Sequence, residues 1–125
     1  MARKKYQLEF VIKSSPGLLW EFLTTSNGLA NWFADSVDDT DGVFIFTWSG
    51  STAQAQVIES REPHLFRLKW LDGDENEYFE FLIESSEVTR DTILYVTDFA
   101  DEDELEDQRI LWESQIATLT SRIGG

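Results

Sequence analysis

The sequence contains no cysteine. Disulfides, thiolate metal sites and a cysteine nucleophile are therefore excluded. A single histidine is present, His64. It follows Pro63 at a strand start with no nucleophile motif beside it, so it reads as an exposed turn residue and gives no sign of a catalytic triad. Positive charge is scarce: ten Lys and Arg stand against 24 Asp and Glu, for a net charge of -14. So acidic a chain repels nucleic acid and anionic bilayers. It suits a soluble protein, or one that meets a basic partner. No uninterrupted apolar run approaches the length that spans a bilayer. Arg3-Lys4-Lys5 could open a signal peptide, but Glu9 and Lys13 break the apolar stretch beyond it. The expectation is a soluble cytoplasmic protein without membrane insertion. Dinucleotide, Walker, nucleophile-elbow and HExxH motifs are all missing, and neither a cofactor nor a metal is expected.

What the chain has in quantity is rings. Aromatics reach 14%, with five Trp and nine Phe, inside an ordinary apolar share of 42%. Rings in that number imply a thick core or a lined cavity. At 125 residues the chain fits one domain, 1–125, with a substantial core. No repeat or linker divides it.

Residues 6–13 alternate, with Tyr6, Leu8, Phe10 and Ile12 on one side, as in a half-buried strand. Ser15-Pro16 then supplies a helix cap and a first-turn proline. A short helix buries Leu19, Phe22 and Leu23, with Trp20 flanking. Thr25-Ser26-Asn27-Gly28 reads as a loop, and a second short helix carries Leu29, Trp32 and Phe33. The stretch 38–42, Asp-Asp-Thr-Asp-Gly, reads as an acidic loop. Five strands come next in close succession, over 43–49, 53–59, 65–71, 77–84 and 92–99. Their inward sets include Phe44, Phe46 and Trp48; Phe66, Leu68 and Trp70; Phe79, Phe81 and Ile83. Asp72-Gly73 marks a hairpin turn between two of them. Short turns imply antiparallel pairing.

The last stretch, 101–123, is one long amphipathic helix. Trp112, Ile116, Leu119 and Ile123 share a face at steps of four, three and four, extended backwards by Gln108 and Leu105. Asp101 with Glu104 fits a capping box, and Gly124 fits the stop. Gly124-Gly125 resembles a diglycine tail only superficially and reads as a helix end. Helices gathered at the ends of a strand run mean α+β.

That order resembles the helix-grip order of the START/Bet v 1-like (SRPBCC) superfamily, and within it the group named after the activator of Hsp90 ATPase homologue (AHSA1-like). Residues 20–25, WEFLTT, and Leu29-Ala30-Asn31-Trp32-Phe33 resemble that group's first helix pair. Glu59, Glu62-Pro63 and Leu68-Lys69-Trp70 are similar to its middle strands. Leu111-Trp112 and Leu119 are similar to its terminal helix, with Leu111 where the group carries glycine. The resemblance implies a curved antiparallel sheet of about six strands wrapped around the C-terminal helix, with two short helices after the first strand. It also implies an apolar cavity between sheet and helix; some members bind hydrophobic ligands, some are cyclases or hydrolases, and some act on chaperones. Fold alone does not choose among these.

Candidate cavity-lining residues are Phe33, Phe44, Phe46, Trp48, Phe79, Phe81, Trp112 and Ile116. The same rings could instead fill a solid core. Gln108 and Gln115 are the polar groups nearest such a pocket. Asp72, Asp74 and Asn76 imitate the start of a calcium loop but lack its glycine and its closing glutamate, so they read as a turn. Asp98, Asp101, Glu102, Asp103, Glu104, Glu106 and Asp107 could hold a divalent cation weakly, or simply supply negative charge to a helix N-terminus. The leading function is non-enzymatic binding of a small hydrophobic molecule. The alternative is an interaction module, homodimeric or bound to a basic or chaperone-related partner. An enzyme ranks last, since no nucleophile, base and oxyanion set converges; Tyr95 facing Gln108 would revive it.

Overall fold

A computed structural model describes residues 3–74 and 76–124. Its strands are β1 (Arg3–Ile12), β2 (Ser36–Thr40), β3 (Val43–Trp48), β4 (Ser51–Arg61), β5 (Leu65–Trp70), β6 (Phe79–Ser85) and β7 (Thr92–Asp101). They form a curved antiparallel sheet in the order β1-β7-β6-β5-β4-β3-β2. A register shift between Val57 and Glu59 bends β4 and adds to the curvature. Because β1 and β2 lie at opposite rims, the chain between them must cross the sheet. Helices α1 (Pro16–Thr24) and α2 (Ser26–Leu29) make that crossing. After β7 come a 3-10 turn (Glu102–Glu104) and the long helix α3 (Leu105–Ile123). No described helix is long and apolar enough to cross a membrane.

The sheet has seven strands rather than about six. The additional one, β2, includes residues expected in an acidic loop: Asp38 pairs with Ile45, Asp39 with Phe44 and Thr40 with Val43. Only Asp41 and Gly42 turn the chain, both at positive φ, as a tight hairpin requires. A charged rim strand with a single half-buried apolar residue, Val37, gives no period-two signal. The Asp72-Gly73 turn is open and long, and Glu75 within it lies outside the described residues, as does Gly125.

The first helix starts as its sequence dictates. The Ser15 hydroxyl accepts from the Leu18 amide, and Pro16 occupies the first turn. The second helix begins earlier than expected. Thr25 Oγ1 accepts from the Gly28 amide at 2.9 Å, so Ser26, Asn27 and Gly28 are helical, and Trp32 and Phe33 lie in the turn beyond. Gly28 sits against α1: a Cβ there would lie 2.3 Å from the Glu21 carbonyl oxygen and 2.6 Å from Phe22 Cα. Glycine alone permits that corner.

α3 has 19 residues, about 28 Å of helix, shorter than the expected span. The capping box does not form. Asp101 makes no side-chain cap; its carboxylate faces Arg3 on the neighbouring strand at 3.6 Å, and the 3-10 turn takes over the helix entry. At the other end Gly124 has φ 91°, and its amide donates to Thr120 O at 3.2 Å. Trp112, Ile116 and Leu119 are buried against the concave face of the sheet, where Phe46, Phe79, Phe81 and Val96 are almost fully enclosed. Ile110 and Leu111 are each about half exposed.

Three substitutions test this packing. Leu119→Ala should cost about 2–5 kcal/mol and Gly28→Ala about 1–3 kcal/mol, while Ile110→Ala should stay within about 0.5 kcal/mol of the parent. Urea unfolding followed by circular dichroism reads all three; an Ile110→Ala loss matching that of Leu119→Ala would mean the wrong helix face is buried.

Candidate functional site

Ile116 and Leu119 in the C-terminal half of α3 are buried. Gln108 near its start and Gln115 at its middle are only partly covered. Polar glutamines cannot be pressed into an aromatic floor without losing hydrogen bonds, so the interface opens there. The opening is a cavity of about 520 Å³. Its floor carries Phe33, Trp48, Trp70 and Trp112; its rim carries Arg3, Glu77, Tyr78, Phe99, Glu104, Gln108 and Leu111.

The floor is held from behind. Trp48 Nε1 donates to the Phe33 carbonyl at 2.7 Å. Trp70 stacks on Phe79 with centroids 4.8 Å apart. Phe33 packs against Phe46 at 4.9 Å and Trp112 at 5.9 Å. Gln115 Nε2 donates to the Phe33 carbonyl at 3.4 Å, tying α3 to the turn after α2.

One carboxylate lies in the wall. Asp98 Oδ2 accepts from Trp112 Nε1 at 3.0 Å and from the Tyr6 hydroxyl at 3.4 Å. Its Oδ1 accepts from the Phe99 amide at 2.8 Å. Tyr6 and Asp98 are register partners across β1 and β7. Burial pushes the Asp98 carboxyl above its ordinary range, and these hydrogen bonds offset that only in part. Burial, with the neighbouring Asp98 charge, also pushes the Tyr6 phenol above its ordinary range. At the rim Arg3 grips Glu77 with two bonds, Nη2–Oε1 at 2.7 Å and Nε–Oε2 at 3.0 Å. That pairing strengthens the hold of the guanidinium on its proton.

Of the expected lining set, Phe33, Trp48 and Trp112 reach the cavity wall. Phe44, Phe46, Phe79, Phe81 and Ile116 sit behind them in the packed core. Gln108 and Gln115 both reach the wall. Trp70 is legible as inward from alternation but falls outside the expected set, and Asp98 falls with the acidic helix entry. A signal for Asp98 exists: it shares strand parity with Leu94 and Val96, both fully buried. An acidic residue on the apolar side of a strand is the break in alternation that singles it out as a candidate. Tyr95 has the opposite parity and pairs with Glu9 on β1, so it does not meet Gln108. His64 is exposed, with Nδ1 3.4 Å from Ile83 O. Among the described residues no group of three or more His, Cys, Asp or Glu side chains is placed to hold a metal.

A long helix laid over a curved antiparallel sheet, with a cavity between them, defines the START-like class. The model for the START-like superfamily domain matches residues 1–125, and the chain belongs to that superfamily. A Bacteroides fragilis protein solved in solution is 35% identical, with a TM-score of 0.72, over 100% of this chain and 93% of that one. The Aha1 dimer from Colwellia psychrerythraea is 17% identical, with a TM-score of 0.79, over 98% and 96%. CalU16 from Micromonospora echinospora is 18% identical, with a TM-score of 0.74, over 97% and 74%. The last two likenesses concern the fold. No curated protein matches the sequence.

The raised proton affinity of Asp98 has a measurable sign. Its contribution to stability is fully present below the unfolded value, about 3.9, and is lost as pH rises through the higher folded value. Asp98→Asn keeps an oxygen for Trp112 and removes the titration. The urea midpoint of the parent, compared with the variant, should be most favourable near about pH 4 and decline towards neutrality. A difference independent of pH would show that Asp98 titrates normally.

Proposed function

We propose that the chain binds a small hydrophobic molecule, without chemistry, in the cavity between α3 and the sheet. The observation that carries this is an aromatic-walled opening of about 520 Å³, within the range of about 300–1,000 Å³ common for small-molecule sites. Its rings are braced by neighbours, so little ordering is left for a ligand to impose. In this reading Phe33, Trp48 and Trp112 touch the ligand together with Trp70. Phe44, Phe46, Phe79, Phe81 and Ile116 hold those rings in place. The protein acts as one domain, in solution in the cytoplasm, and needs no cofactor. Nucleic acid is not a partner, given the net charge of -14.

A second reading is an interaction module. Ile110 and Leu111 lie side by side on α3, each about half exposed, and the similarly folded Colwellia protein was solved as a dimer. Self-association through this part of α3 would bury both side chains. A basic partner would instead be drawn by the acidic surface and released as salt rises.

Native mass spectrometry of protein purified from its own host should show added mass from a retained ligand. Titration with lipids and aromatic metabolites should shift the indole N–H signals of Trp48, Trp70 and Trp112 saturably. If none of these three responds to any compound, the container reading fails. Gel filtration of the parent beside Leu111→Glu decides the homodimer form of the second reading, which requires a dimer that the variant splits; pull-down at low and high salt decides the basic-partner form.

A further inference from the structure

The charges around the cavity point to a class of ligand. Three carboxylates line it, Glu77, Asp98 and Glu104, against one cation, Arg3. Arg3 is already engaged: it holds Glu77 through two bonds and lies 3.6 Å from Asp101. Asp98 has no such partner. Among the described residues no Lys, Arg or His nitrogen lies within 4.0 Å of its carboxylate. Its three donors are neutral: the Trp112 indole, the Tyr6 phenol and the Phe99 amide. A carboxylate offers about four acceptor positions, so Oδ1, which takes only the Phe99 amide, keeps one for a ligand. The floor beneath is built of indoles and a phenyl ring, whose faces attract cations.

We infer that the cavity selects a flat hydrophobic ring bearing a protonated amine, with the ring on Trp48, Trp70 and Trp112 and the ammonium on Asp98. The inference rests on the container reading and narrows it. A fatty acid or other anionic amphiphile would meet three carboxylates, with the single arginine occupied. Arg3 acts on Asp98 only from beyond ion-pair distance, and a ligand cation supplies the direct charge partner it lacks, in a partly desolvated wall where charge pairs are felt more strongly than in bulk water.

Three probes share one ring and one spacer: 1-naphthylmethylammonium, 1-naphthalenemethanol and 1-naphthaleneacetate. Each is titrated into the 15N-labelled full chain at about 0.15 M salt, where the screening length is about 8 Å. The ammonium should bind about tenfold or more tightly than the acetate. It should also shift the Trp112 indole and Phe99 amide signals, whose N–H groups both donate to Asp98. Asp98→Asn should cut the advantage of the ammonium over the alcohol by about tenfold. It removes one of 24 acidic residues, so a preference set only by overall charge would survive it. If that variant does not fold, the Trp112 and Phe99 signals of the parent decide. Equal binding of ammonium and acetate, or ammonium binding that leaves those two signals still, overturns the inference and spares the container. Failure of all three to bind also overturns the inference, while the container stands or falls by the lipid and metabolite titration.

Discussion

Phe33 is where the three parts of the molecule meet. Its ring lies among Phe46 from β3, Phe79 from β6 and Trp112 from α3, at centroid distances of 4.9 to 5.9 Å. Its carbonyl accepts from Trp48 and from Gln115. One residue in the turn after α2 therefore fixes sheet, connector and helix to one another. Removing the ring would leave a void that none of the three could fill alone. The position depends in turn on Gly28, which lets α2 close against α1 and sets where Phe33 emerges.

Trp112 makes the second link, and it is a mixed one. Its ring packs on Phe81 at 6.0 Å while its N–H holds Asp98 on β7. A polar bond at this point is costlier than an apolar contact, because it keeps a carboxylate partly out of water. What it provides is spacing. An all-apolar contact here would draw the N-terminal half of α3 onto the floor, whereas a hydrogen-bonded indole with glutamines on either side leaves room. The same partial burial that accompanies this spacing raises the proton affinity of Asp98, which the Trp112 bond offsets only in part.

Much of this architecture is visible in the residues themselves. The steps of four and three through Trp112, Ile116 and Leu119 identify the buried face of α3, and the inward sets of β3, β5 and β6 come from alternation. The order of elements carries the helix-grip fold. Where the pattern misleads, tertiary neighbours decide the outcome. Asp101 looks like a cap until Arg3, far away in sequence, draws its side chain aside. Residues 38–40 look like a loop because their pairing with β3 depends on backbone bonds that charged side chains do not announce. The cavity is the least legible part. Period two shows which rings face inward, but it cannot separate Trp48, at the opening, from Phe46, two residues earlier and sealed.

The seven-stranded sheet is not closed into a barrel, so it has two raw margins. One is β1, ten residues long and opened by Arg3, Lys4 and Lys5; the other is β2, only five residues long with Asp38 and Asp39. Their opposite signs would let one copy lay its long margin along the short margin of the next, and head-to-tail stacking of that kind has no natural end. Two things stand against such ribbons: a seam of five residues is a weak template, and every copy carries a net charge of -14. Mutual repulsion therefore acts as a preservative for the dispersed molecule. Mild acid near the pI of about 4.2 would remove it, and curdling rather than simple unfolding is the fate this architecture implies there; stronger acid restores repulsion with the opposite sign, carried by ten Lys and Arg.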